Sequence, residues 1–500
     1  MKVNLSENRR SKIICTLGPA TSDYQSIFDL VKNGMDVARL NFSHGDHESH
    51  AQNILNIRKA SKEASRTVAI LGDLQGPKIR IGPLLNKDST KSTEIALHEG
   101  QKLYFRGAVN TRSSQAGSGT KDSPINISYP KLTKDLKEGE TLLIDDGMVF
   151  LKVSASDEKK NLLEAVVVQG KKIGERKGVN MPLSKLSASG ITEKDWKDIL
   201  FAIENDVDLL ALSFVRSYRE LKSLQQYLKQ KNLKIGVIAK IEKQEAIDDL
   251  ENILNYSQGI MVARGDLGVE IGNDKVPIIQ KRIIELCRQK AVPVITATQM
   301  LLSMVENPFP TRAEASDVAN AVLDGTDALM LSNETAVGKN PTQVVKTMTQ
   351  IILEAESLGA RNYWHQQKSE ENIKHSETED LAQAACQLAE ATEAQCLSCL
   401  TKSGSSARLL SKFRPSMPIY AFSEEAKVCA LLCLSWGVYV IPWKESKHTD
   451  SELFHSLVDA LAARNFISNN QRAVMVAGIP TSMTAGTSNT ITIQKYPVKS

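Results

Sequence analysis

Short apolar, β-branched runs recur along most of the chain, with polar or amphipathic helical stretches between them. They are Lys12–Thr16, Asp36–Leu40, Thr67–Leu71, Asp208–Leu212, Ile235–Ala239, Gly259–Ala263, Pro293–Ala297 and Asp327–Leu331. Runs that are apolar on both faces suit parallel strands covered on both sides. Eight such runs, each followed by a helix or a long excursion, predict a (β/α)8 TIM barrel, an α/β fold. The first helix carries its own signals. Ser22 and Gln25 read as a capping box, and Gly34 sits where a left-handed C-terminal residue belongs.

The rhythm breaks over 77–177. Short alternating runs (Thr141–Ile144, Val149–Val153, Leu163–Val168) and a Gly/Ser/Thr-rich loop at Asn110–Ser123 predict a small all-β domain, a β-barrel lid inserted after the third strand. Such a domain is placed to close over strand ends and exclude water. The expected division is barrel 1–76, insertion 77–177, barrel 178–358, and a C-terminal α/β, Rossmann-like regulatory domain 359–500. Its strands are read at Cys396–Leu400, Pro418–Ala421, Val438–Ile441, Ala473–Ala477 and Thr490–Gln494, after a polar, aperiodic stretch that follows Gly359.

Composition narrows the class without naming a function. A hydrophobic content of 41%, a charged content of 24% and a net charge of +4 over 500 residues describe a soluble globular protein. They point to neither nucleic acid nor membrane, and no run is long enough to span a bilayer. The start, MKVNLSENRR, lacks a signal peptide's apolar centre, and seven cysteines in so long a chain form no disulfide framework. A reducing cytoplasm is therefore expected. The Cys396/Cys399 pair continues an apolar strand and differs in spacing from Cys429/Cys433, so buried thiols are read in preference to zinc. His44, His47 and His50 lack zinc spacing and read as helix-start and surface residues.

Candidate chemistry falls just past the predicted strand ends, the face that carries catalysis in this architecture: Asn41, Asp73, Ser213, Lys240, Asp266 and Thr298. Lys240 and Glu242 are two apart on an extended strand and point the same way. Glu242 and Asp266 beside a lysine suit a divalent cation holding an anionic substrate, and hard oxygen ligands favour Mg2+, with Mn2+ as the substitute. Solvated loop charges are the alternative, disfavoured because two successive strands end alike. Arg39, Asn41 and Ser43 alternate and share a side if the chain stays extended, the arginine fork being suited to phosphate. Thr401, Lys402, Ser403, Ser405 and Ser406 form a hydroxyl- and Gly-rich turn ahead of a helix, either an anion site or a plain helix cap.

These stretches carry a resemblance. AKIEKQEA, GIMVARGDLGVEI, ITATQMLLSM and PTRAEASDVANAVLDGTDALMLSNETA, with SKIICTLGPATSD near the start, resemble the pyruvate kinase family collinearly over almost the whole chain. The resemblance implies phosphoryl transfer from phosphoenolpyruvate to ADP, giving pyruvate and ATP, the final step of glycolysis, by a homotetramer. It assigns catalysis to Lys240, Arg39 and Thr298, and substrate binding to these with Gly265, Asp266 and Ser213. Nucleotide contacts fall to Asn41, His44, Arg80 and Lys177, and Mg2+ to Glu242 and Asp266. A monovalent-cation site falls to Asn41, Ser43, Asp73 and the Leu74 carbonyl, and a sugar-phosphate or nucleotide effector to the 401–406 turn.

Two other readings remain. A phosphoenolpyruvate/pyruvate lyase or aldolase on a TIM barrel shares the metal chemistry but needs no nucleotide, against which the insertion, Arg80 and Lys177 argue. A non-catalytic metabolite-binding regulator is the other, and the presence of Lys240, Glu242, Asp266 and Thr298 argues against that. One departure matters. Potassium-dependent members read LDTKGPEIRTG where this chain has Gly72-Asp-Leu-Gln-Gly-Pro-Lys-Ile-Arg-Ile-Gly82. Lys78 thus puts a fixed cation in place of an anion, and like charges repel by roughly 4 kcal/mol at 4 Å in a partly buried site. The expectation is that K+ is not required.

Overall fold

In the computed structural model the eight runs are eight parallel strands closed on one another: β1 (Lys12–Thr16), β2 (Val37–Asn41), β3 (Ala69–Asp73), β4 (Leu209–Leu212), β5 (Gly236–Ile241), β6 (Gly259–Ala263), β7 (Val294–Ala297) and β8 (Ala328–Leu331). The structure describes residues 9–497 except 87–89, 110–114, 183, 185, 188–189, 358–375, 445–449 and 480–487. Most of the polar stretch after Gly359, and part of the loop at Asn110–Ser123, lie outside these residues.

Alternation along each strand builds two layers. Ile13 and Cys15 of β1 face the surrounding helices, while Ile14 joins Val37, Leu71 and Ile238 inside the barrel. The inner layer continues at the barrel floor into Leu431, on the helix Ala426–Leu432, and Leu434 just after it. Polar ties reinforce that seam: Lys12 Nζ donates to the Val438 carbonyl at 2.6 Å, and Arg414 Nη1 donates to Asp327 Oδ1 at 2.9 Å.

Several strands extend further than their apolar runs. β2 and β3 run on to Asn41 and Asp73 because those residues still pair, and Asp73 also pairs with Ala211 of β4. Helix α1 (Tyr24–Asn33) is capped by Asp23, whose side chain accepts from Ser26 N, and not by Ser22. A short 310 turn at Pro19–Thr21 places the extended capping backbone one residue later. Gly34 does take the left-handed C-terminal position, at φ 119°, and helix α2 (His47–Glu63) follows β2.

The residues between β3 and helix α3 (Glu193–Glu204) make their own core, from Ile79 to Met181. Among the described residues this is a six-stranded sheet with two-stranded pieces beside it and a one-turn helix, Leu132–Asp135. Arg80 and Ile81 bridge the two outer strands of that sheet, Arg80 pairing with Gly178 and Ile81 with Ile127, which draws it round on itself. The C-terminal unit is a five-stranded sheet centred on Cys396–Leu400, parallel but for its last strand. Cys396 and Cys399 lie in different cores on opposite faces of that sheet, and all seven cysteines are free and buried.

Candidate active site

A cavity of about 650 Å3 opens at the C-terminal ends of the barrel strands, lined by Arg39, Asp73, Lys240, Glu242, Asp266 and Thr298 among others. Lys240 stands in the middle of it. Its ammonium donates to Ser213 Oγ at 2.7 Å and lies 3.0 Å from Glu242 Oε1 and 3.3 Å from Asp73 Oδ1. Burial by itself would lower its pKa, but Asp73 and Glu242 outweigh burial and hold it raised. Lys240 is thus a permanent cation. Lys240 near the end of β5 and Glu242 just past it converge as expected.

Asp73 is buried and serves two cations, with Arg39 Nε donating to its Oδ2 at 2.7 Å. Burial favours its protonated form, yet Lys240 and Arg39 keep the pKa below the usual carboxylate value. Arg39 is braced further by Thr16 Oγ1 at 2.9 Å.

Glu242 behaves differently. It is almost wholly buried, its Oε2 accepts from Phe214 N at 2.6 Å, and its Oε1 accepts no hydrogen bond. Burial raises its pKa and repulsion from Asp266 adds to that, against the pull of Lys240. A buried carboxylate oxygen whose close partner is the Lys240 ammonium, facing a second carboxylate, is a donor set that fits a hard divalent cation. Among the described residues no group of three or more His, Cys, Asp or Glu gathers for a metal. Two of the three histidine rings are engaged away from Glu242 and Asp266: His47 pairs with Asp198 at 2.8 Å, and His50 meets the His44 carbonyl at 2.9 Å.

Asp266 and Gly265 lie in the first turn of helix α4 (Arg264–Ile271), which starts directly after β6. Gly265 N donates to Thr298 Oγ1 at 3.0 Å. Thr298 has φ 70°, a rare conformation for a β-branched residue. Its carbonyl accepts from Arg264 Nη2 at 2.7 Å, which fixes the strained turn and leaves the hydroxyl beside helix α4.

Other expected residues fall less simply. The chain does not stay extended to Ser43: it turns after Asn41, whose Oδ1 accepts from Ser43 N at 3.1 Å. The Leu74 carbonyl accepts from Ser213 Oγ at 2.7 Å. Arg80 and Lys177 sit side by side where the two hinge strands pair, Arg80 donating to the Arg176 carbonyl and Lys177 reaching Asp145 at 2.9 Å. His44 is held neutral, its pKa lowered by burial and then by Arg80, Arg39 and Lys78. Lys78 points at Asp266, 4.0 Å from Oδ1. In the turn before the helix Ser405–Lys412, Thr401 Oγ1 accepts from Gly404 N at 2.9 Å and Ser406 Oγ meets Ser488 Oγ at 2.6 Å.

Residues outside the sequence reading also line the cavity. Ser332 and Asn333 follow β8, and Thr16 ends β1. The strand-end rule that selected Asp73 and Ser213 would have selected these as well.

Comparison with known proteins settles the family. Residues 8–345 match the model of the pyruvate kinase barrel domain, and residues 379–494 that of the pyruvate kinase alpha/beta domain. The chain belongs to the pyruvate kinase family. A pyruvate kinase of Geobacillus stearothermophilus is 42% identical over 96% of this chain and 79% of that protein. One from Corynebacterium efficiens is 41% identical over 96% of both. A crystal structure of a Cryptosporidium parvum pyruvate kinase superposes with a TM-score of 0.89 at 35% identity, covering 99% of this chain and 98% of that one. The fold and the glycolytic phosphotransferase class read from the sequence therefore stand. Among the described residues no helix is long and apolar enough to cross a membrane.

Proposed function

We propose that phosphoenolpyruvate binds in the cavity between Arg39, Lys240 and helix α4 and passes its phosphoryl group to ADP held under residues 77–177. The observation that carries this reading is the Lys240 ammonium, buried and charged beside Arg39 and two carboxylates. Oxygen of the ADP β-phosphate attacks phosphorus, the bond from phosphorus to the enol oxygen breaks, and the enolate carbon takes a proton. Lys240 and Arg39 concentrate positive charge where the transferring group is least bonded, the main demand of such a reaction. Gly265 N offers a donor to the substrate carboxylate, and Thr298 Oγ1, its present partner, lies where a proton is delivered to the enolate, directly or through water. Mg2+ (or Mn2+) on Glu242 and Asp266 would supply Lewis-acid stabilisation of phosphoryl and enolate oxygens.

Three further readings accompany this one. Nucleotide phosphates meet Arg80, Lys177, His44 and Asn41, near cations that keep His44 neutral. K+ is not required: Asn41 Oδ1, both Asp73 oxygens and the Leu74 carbonyl have donors within the protein, and Lys78 adds a fixed positive charge nearby. The turn 401–406 binds a sugar-phosphate or nucleotide effector in a cytoplasmic homotetramer. A coupled assay for ADP-dependent pyruvate and ATP formation, with Mg2+ supplied and monovalent cations varied, tests the reading. Pyruvate release without ADP would replace it with a lyase or phosphatase.

A further inference from the structure

The chain leaves the barrel for residues 77–177 just after β3 and returns just before helix α3. The exit at Gly76 and the helix N-cap at Thr192 meet one buried carboxylate. Gly76 N donates to Asp195 Oδ1 at 3.0 Å, while Thr192 N and Thr192 Oγ1 donate to Oδ2 at 2.9 and 2.6 Å. Asp195 is wholly buried, in the first turn of helix α3, so the clamp rests on a rigid element.

Gly76 is seated on the loop after β4. It has φ 67°, and a Cβ there would lie 2.9 Å from Ser213 Cβ and 3.0 Å from the Phe214 ring. That loop holds the reactive centre. Ser213 Oγ receives the Lys240 ammonium, and Phe214 N, at the strained φ of 54°, donates to Glu242. Two residues on, Arg216 Nη1 donates to the Leu186 carbonyl of the returning segment at 2.7 Å. Residues 213–216 thus touch Gly76 ahead of the insertion and Leu186 after it on one side, and both Lys240 and Glu242 on the other.

We propose that Asp195 is a positioning residue for phosphoryl transfer: its carboxylate fixes the hinge so that Gly76 seats Ser213 and Phe214, and these set the Lys240 ammonium and the Glu242 carboxylate. The inference rests on the roles given above to Lys240 and Glu242. Asp195→Asn is nearly isosteric, but its amide turns one acceptor into a donor facing an N–H. Gly76→Ala disturbs the same seat from the other end without touching substrate. A displacement of about 1 Å at a reacting group costs up to roughly 100-fold in rate.

The experiment measures kcat and KM for Asp195→Asn and Gly76→Ala in the full chain, with hydrogen exchange at the Gly76 amide and Lys240→Met alongside. The expected result is a kcat at least about tenfold lower in both variants, with KM for phosphoenolpyruvate within about threefold. Circular dichroism should be unchanged, and Gly76 exchange should quicken in Asp195→Asn. Wild-type kcat in both variants, or a loss without faster Gly76 exchange, overturns the proposal. An active Lys240→Met would instead overturn the reading of the site on which it rests.

Discussion

Lys78 Nζ lies 4.0 Å from Asp266 Oδ1, so a cation at the root of the inserted sheet faces a carboxylate read as a metal ligand. Both side chains are about 30% exposed, and a pair so open contributes little to stability. Its consequence is electrostatic: positive charge enters the site from the protein, close to where family members of the potassium-dependent type have a glutamate.

Lys240→Met should lower kcat by about 1000-fold or more while KM for phosphoenolpyruvate changes by less than about tenfold. The charge matters most in the transition state, so a single-turnover measurement at saturating substrate reads it directly. A variant with near wild-type kcat would remove Lys240 from the mechanism.

At Thr298 the hydroxyl and the backbone separate cleanly. Thr298→Ser keeps the acceptor for Gly265 N and tolerates the positive φ better, so its kcat should stay within about fivefold. Thr298→Val loses the acceptor and keeps the β-branch, and should cost about 100-fold. Equal losses would mean that the residue only packs.

How much of this was legible in the sequence depends on what fixed each residue. The strands were legible because parallel strands buried on both faces leave unbroken apolar runs, and Lys240 with Glu242 because a strand's period is two. The turn at Asn41–Ser43 was not, since a side-chain oxygen capturing Ser43 N competes with continued extension. Nor was the direction of Lys78, a long side chain whose partner lies far along the chain at Asp266. Asp195 is the third residue of a helix, and only the folded chain brings Gly76 to it.

The barrel floor carries a pH signature. Burial lowers the Lys12 pKa from 10.5 to about 8, with Arg9 adding to this and Asp36 opposing it. Between about pH 8 and 10.5 the unfolded chain holds a proton that the folded one has released, so this group's contribution to stability rises with pH, by up to about 3 kcal/mol. Denaturation midpoints at pH 7.5 and 10 should therefore differ more favourably in the wild type than in Lys12→Met. An identical pH dependence would place the Lys12 pKa near its ordinary value.

Lys402→Glu sets like charge beside any phosphate at the 401–406 turn. The ratio of activity with and without a sugar phosphate should fall to one in this variant. Activation that persists would make the turn a helix cap and nothing more.

Phosphoryl transfer is proposed to proceed here on charge supplied by the protein and a divalent metal, without K+. The measurement is the rate of ADP-dependent pyruvate and ATP formation with Mg2+ in a buffer whose sole monovalent cation is tetramethylammonium, for the wild type and Lys78→Glu. The wild type should run within about threefold of its rate in K+, whereas Lys78→Glu should lose most activity and regain part of it when K+ is added. A wild-type rate that is negligible in tetramethylammonium and rises by orders of magnitude with K+ would contradict it.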